Sequence, residues 1–289
     1  MAKEYTIAAF LNVVATPHPQ GVYERIFRSA AHHIIQYWGS EHAAIGDLLE
    51  IPGDDGFFSF RLSLWVEINP DEPTIRKEDL AKANFPREGR EFSKQYGING
   101  RVFTCVLDVQ RHVVTIELKN EDGKQLSAGR AETIFQRLLG PEVLGTDTES
   151  VEVTLIPQDD ALEYVLGFNR LDRLEILVKI PNNDDVTTET HRVLERLRSQ
   201  NAKSERSILA RAAGPDSLEP DNEHMVLARV AAAGNGRVET VGLDEDGEKG
   251  ERSTKEKPKL VRRILQKGQS YMAALRNIAK EARNSHDPL

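Results

Sequence analysis

Asp108 followed by Glu117-Leu118-Lys119 is the constellation in this chain closest to a catalytic pattern. An acid followed by Glu-x-Lys on the next strand of a hairpin is how one large class of nucleases holds magnesium beside a charged lysine. The spacing argues against that chemistry here. With Gln110-Arg111-His112 as the turn, Asp108 faces residue 113 or 114 and Glu117 faces residue 104 or 105. At about 3.3 Å per residue the two carboxylates stand on the order of 10 Å apart, too far to share one ion. The eight histidines (His18, His32, His33, His42, His112, His191, His224 and His286) include no helical i, i+4 pair and none beside Cys105. No zinc spacing results. Cys105 alternates with Phe103 and Leu107, which makes it a core residue of a strand. Asp244-Glu245-Asp246-Gly247 lacks the order of a calcium loop and carries Lys255 at the twelfth position, so it reads as a turn. No Gly-x-Gly-x-x-Gly or Walker pattern occurs. The sequence therefore names no cofactor and no metal site, and it points to binding rather than catalysis.

The second candidate is electrostatic. Residues 249–289 hold eleven Lys or Arg against four acids, a +7 segment on a −15 body. Apolar residues from Leu260 to Ala279 predict one amphipathic helix over Lys259 to Arg283, about 37 Å long at 1.5 Å per residue. Lys259, Arg262, Arg263 and Lys267 on that helix are the candidate nucleic-acid contacts, because each cation that meets a phosphate releases counterions. An apolar stripe of that length predicts a homodimer. The alternative is that the basic segment packs on the acidic body.

The elements that would position these residues are legible as periodicities. Tyr5 to Val14 reads as a strand and Val22 to Trp38 as a helix. Ala44 to Ile51 and Phe57 to Ile68 read as strands, with a short helix near Arg76 to Ala83. A hairpin spans Val102 to Leu118, and Ser127 caps a helix to Leu139. Gly140-Pro141 and Gly145 suggest a boundary. Beyond it an alternating β-α-β-α-β run covers Val151 to Ala213, and Gly234-Asn235-Gly236 predicts the turn of a hairpin from Met225 to Leu243. The fold expected is α+β: two mixed α/β domains (1–144 and 145–248) with antiparallel hairpins, then a basic C-terminal region (249–289) with an amphipathic helix.

A single cysteine excludes an internal disulfide and fits a reducing compartment. No apolar window long enough to cross a membrane exists, and the N-terminus reads as a strand rather than a signal peptide. A cytoplasmic protein is expected.

Several segments together resemble one family. Tyr5-Thr6-Ile7-Ala8 with Gly21-Val22-Tyr23-Glu24, the hairpin Val102 to Glu117, and the block Val151 to Asp185 ending in Ile180-Pro181-Asn182-Asn183-Asp184 match in order and spacing. Gly236-Arg237-Val238 through Ser253-Thr254 adds a further match. They resemble the bacterial domain of unknown function numbered 4747. The resemblance implies a protein of bacteria and phages encoded near mobile or defence genes, hence an anti-phage role. Its core is also loosely similar to the phage exclusion protein RexA, a DNA-binding dimer. No catalytic residues come with the family motif. The resemblance and the +7 segment together lead to an anti-phage binding protein, a homodimer contacting DNA without sequence preference; a metal-dependent nuclease centred on Asp108, Glu117 and Lys119, and a sensor or inhibitor that binds a toxin encoded beside it, are the other two readings.

Overall fold

A computed structural model describes residues 4–146, 149–180, 188–214 and 216–284. Part of the family-like block, 181–187, therefore lies outside the described residues, as does His286. The protein is α+β, built on two antiparallel sheets. The chain begins with β1 (Tyr5–Thr16), α1 (Val22–Ala30), β2 (Ile35–Trp38), β3 (Glu41–Ile45), β4 (Leu49–Glu50) and β5 (Phe57–Val66). An excursion follows, with β6 (Thr74–Ile75), β7 (Lys82–Ala83) and α2 (Arg87–Gln95). Then come β8 (Ile98–Asp108), β9 (Val113–Glu117), α3 (Ala128–Leu138), α4 (Pro141–Leu144) and β10 (Ser150–Leu155). The second half holds α5 (Ala161–Leu166), β11 (Arg170–Lys179), α6 (Thr188–Ser199), β12 (Ser204–Ala210), α7 (Asn222–Val230), β13 (Gly236–Leu243) and β14 (Lys249–Ser253). It ends with β15 (Leu260–Ile264) and α8 (Tyr271–Asn284).

The first sheet runs β10-β1-β9-β8-β5-β3-β2, with β15 beside the N-terminal half of β1 and β4 beside β5. Alternation on its strands separates two faces. Leu11, Val13, Phe60, Leu62, Phe103, Cys105 and Ile116 pack under α1 and α3. Ala8, Phe10, Val106 and Val113 pack against Leu275, Ile278 and Ala279 of α8. The second sheet, β12-β11-β13-β14, buries Leu174, Ile176, Val178 and Val238 against α5, α6 and α7. β10 and β15 both belong to the first sheet, although one falls in the segment 145–248 and the other in 249–289.

Four elements depart from the sequence expectation. The helix after Gly21 stops at Ala30, because Ile35, Tyr37 and Trp38 prefer the pleat and His32 takes φ 64° at the break. Residues 76–83 are the loop and second strand of a small hairpin in which Thr74–Ile75 pairs with Lys82–Ala83, and the helix of this excursion lies at 87–95. Met225 lies in a helix, not a strand. Asp221 caps α7 by accepting from the His224 N–H at 2.9 Å, and Gly234 (φ 94°) ends the following π-turn before β13. The helix expected over 259–283 is a strand and then a helix. Val261 and Ile264 favour the pleat, Gly268 (φ 80°) turns the chain, and Ser270 Oγ accepts from the Ala273 N–H at 3.1 Å. At fourteen residues α8 is about 21 Å long. Its apolar stripe is buried on its own sheet, so the length argument for a dimer falls away.

Two buried asparagines join the halves. Asn12 Nδ2 on β1 donates to Gly234 O at 3.3 Å and to Asn235 Oδ1 at 3.4 Å, and the Thr154 hydroxyl on β10 donates to the same Gly234 carbonyl. Lys179 of β11 and Lys203, just before β12, both reach Glu152 of β10 at 2.6 Å.

Candidate functional site

The hairpin carrying Asp108 and Glu117 has the register expected of it. Asp108 stands opposite Val113, Cys105 opposite Ile116, and Glu117 Oε2 accepts from the Thr104 N–H at 2.9 Å. The two carboxylates thus sit four residues apart along β8. Each is occupied separately. Asp108, 4% exposed, accepts from the Gln110 and Arg111 N–H groups of its own turn and pairs with Arg283 of α8 at 2.5 Å. Lys119 does not turn towards Glu117 as a partner; its ammonium lies 3.6 Å from the ring centroid of Tyr5. Among the described residues no group of three or more His, Cys, Asp or Glu could hold a metal ion. The nuclease constellation is not assembled.

Glu117 is 3% exposed, and its Oε1 has no hydrogen-bond partner. Burial pushes its pKa above the ordinary carboxyl value, only partly offset by the Thr104 N–H. The folded state therefore binds this proton more tightly than the unfolded chain. The penalty is absent below the ordinary carboxyl pKa and grows as pH rises through the raised one. Glu117→Gln, which keeps the acceptor for Thr104 and removes the charge, is expected to stabilise the fold by about 1–2 kcal/mol at neutral pH. Urea unfolding at neutral pH and near pH 4 checks this; the gain shrinks at the lower pH.

Cys105 is buried and burial pushes its thiol up, with Glu117 adding to the effect, so it is no nucleophile. One grouping was invisible in the sequence. His18 and His112 come within 4.6 Å between centroids, with Tyr23 stacked on His112 at 3.9 Å and hydrogen-bonded to His18 Nδ1 at 3.0 Å. The Tyr23 hydroxyl also accepts from the Ala15 N–H, and both Tyr23 and His112 are buried. The cluster pins α1 to the end of β1. On the outer face of the second sheet a cavity of about 270 Å³ is lined by Arg173, Glu175, Glu239, Glu251 and Arg252 among others. Arg173 and Arg206 both contact Glu175, at 2.6 and 2.5 Å, so that carboxylate is matched within the chain.

The basic C-terminal segment is where the geometry decides most. Six of its eleven cations form ion pairs within the chain. Arg276 and Lys280 close on Asp54, Arg283 on Asp108, Arg263 on Glu281, Lys255 on the buried Glu132, and Lys259 on Asp159 at 3.3 Å. Three more lie over rings: Arg252 over Phe168, Lys257 over Tyr164 and Arg262 over Tyr5. Only Lys249 and Lys267 lack such a partner among the described residues. Asp54, held by two cations, has its carboxyl pKa far below the ordinary range, its hydrogen bonds to Arg276 and Lys280 outweighing desolvation. Arg262 and Arg263 lie on a strand, so their side chains point to opposite faces and do not follow one groove edge with Lys267.

The family model of the domain of unknown function DUF4747 matches residues 4–280. The chain belongs to this family. No curated protein matches it. The match spans both sheets and all but the last four described residues of α8, so Arg276 and Lys280, the partners of Asp54, lie within it, and Arg283, the partner of Asp108, lies beyond it. Among the described residues no helix is long and apolar enough to cross a membrane.

Proposed function

We propose that this protein is a defence-associated binding protein whose ligand is another protein, in keeping with the sensor or inhibitor reading. The observation that carries this is the internal pairing of six of the eleven basic residues in 249–289 with carboxylates. A phosphate backbone would have to displace Asp54, Asp108 and Glu281 from those cations and approach an acidic body. The DNA-binding homodimer keeps Lys249, Lys267 and the ring-stacked Arg252, Lys257 and Arg262 as the cations of the segment that no carboxylate neutralises among the described residues. Against the nuclease stands the separation of Asp108 from Glu117. Large exposed apolar residues support a protein ligand: Ile75, Leu80, Phe92, Tyr96, Ile98 and Val102 cluster in and just after the excursion, with Phe92 stacked on Tyr96 at 5.1 Å. Exposed aromatic pairs are common anchors of protein interfaces.

The test is co-purification with the products of the adjacent genes. A complex of fixed stoichiometry is expected, with no cleavage of DNA or RNA in magnesium or manganese. Cleavage lost in Asp108→Ala and Glu117→Ala would restore the nuclease instead.

A further inference from the structure

β15 is an edge strand, and among the described residues nothing pairs with its outer side. Its inner backbone groups face β1 and the residue that follows β10: the Leu265 N–H donates to Glu4 O at 3.0 Å, and the Lys259 N–H to Ile156 O at 2.9 Å. Alternation in an antiparallel ladder then turns the N–H and C=O of Leu260, Arg262 and Ile264 outward. Unpaired groups of this kind are a template for another strand.

The side chains of the same three residues share one face. Leu260 is 44% exposed and Ile264 54%, two residues either side of Arg262. Val261 and Arg263 turn the other way, one to the α8 core and one to Glu281. Arg262 lies 3.8 Å from the Tyr5 centroid, and Lys119 lies 3.6 Å from the same centroid. Two cations are thus held on one ring. Neither has a carboxylate within ion-pair distance among the described residues, in a chain of net charge −8. An anion brought to the outer edge of β15 would meet Arg262, a cation that no carboxylate neutralises.

We propose that β15 is a strand-addition site for an extended acidic segment of a partner protein. Its pattern is an Asp or Glu opposite Arg262, with aliphatic or aromatic residues two positions before and two after, against Ile264 and Leu260. The partner's main chain hydrogen-bonds the outer groups of Leu260, Arg262 and Ile264, and its carboxylate pairs with Arg262. This deepens the protein-ligand reading and rests on it. A second copy is disfavoured, because two-fold pairing of β15 would bring its cations face to face. A nucleic-acid strand offers no ladder to the free backbone groups, and Leu260 and Ile264 are not stacking platforms.

A displayed library of random nine-residue peptides, selected on the full-length protein and on Arg262→Glu, tests the site. Peptides with the stated pattern are expected to be enriched on the wild type only. The best of them should lose at least about tenfold in affinity on Arg262→Glu, and as much when the amide of its acidic residue is N-methylated, which removes the ladder donor and keeps the charge. Should Arg262→Glu fail to fold by circular dichroism, Arg262→Gln serves in its place. Equal enrichment on both proteins, or an N-methylated peptide that binds as well as its parent, would overturn the proposal. So would a homodimer, or single-stranded DNA binding, that depends on Arg262 while no peptide is selected. A neighbouring gene product that binds wild type and Arg262→Glu alike would leave the protein-ligand reading standing and remove this site.

Discussion

Asp108→Ala is expected to lower the free energy of unfolding by about 3–5 kcal/mol, the cost of stranding one member of a buried ion pair. Asp108 is 4% exposed and Arg283 is largely covered, its guanidinium 3.5 Å from the centroid of Phe57 and donating also to the carbonyls of Asp55 and Gly56. Removing the carboxylate leaves that cation without its counter-charge and uncaps the 109–112 turn at once. Urea denaturation at neutral pH measures the loss, and Arg283→Met in both backgrounds separates the pair from the turn. A loss below about 1 kcal/mol would show that α8 does not depend on this clamp. Asp54 adds a pH dependence of known sign. Its folded pKa is depressed, so its contribution is whole above the ordinary carboxyl pKa and disappears as pH falls below it.

Gly236→Ala is expected to cost about 3 kcal/mol or more. Gly236 takes φ 156° and ψ −139°, a region nearly confined to glycine, and an added Cβ would stand 1.9 Å from the Leu177 carbonyl oxygen in the neighbouring strand. The backbone cannot give way without shifting β13 from β11 and Asn235 from Asn12. Gly247→Ala is the control. That turn residue has φ 79° and open space around its Cα, so only the ordinary left-handed penalty of about 1 kcal/mol applies. Equal losses at the two positions would mean that the close approach to Leu177 does not constrain the fold.

Local chemistry was legible in the sequence. The polar trio 110–112 fixed the hairpin register, so the separation of Asp108 from Glu117 could be read from spacing alone. Ser127 capped its helix as its type suggests, accepting from the Arg130 N–H at 3.2 Å. Asp244 formed a turn, accepting from the Asp246 and Glu248 N–H groups. What failed was the period of short apolar runs. Leu260-Val261-Arg262-Arg263-Ile264 fits a strand or a helix turn equally well until β1 is known to have a free edge beside it. The partners of the basic segment were illegible for a different reason. Arg276 and Asp54 lie 222 residues apart, and only the packing of α8 across the first sheet brings them together. The alternation of charge blocks suggested that the tail either binds a polyanion or packs on its own body, and three-dimensional contacts favour the second.

The measurement that bears most directly on this account is duplex DNA binding as a function of salt, on wild type and on Arg262, Arg263 and Lys267 all replaced by alanine. With Arg263 tied to Glu281, and Arg262 and Lys267 the two of the three that no carboxylate neutralises, no binding is expected at physiological salt, and no more than about two units of salt slope from these three residues at low salt. Sequence-independent binding at micromolar or tighter Kd in physiological salt, with a slope that falls by about three units in the triple variant, would contradict it and return the basic segment to nucleic acid.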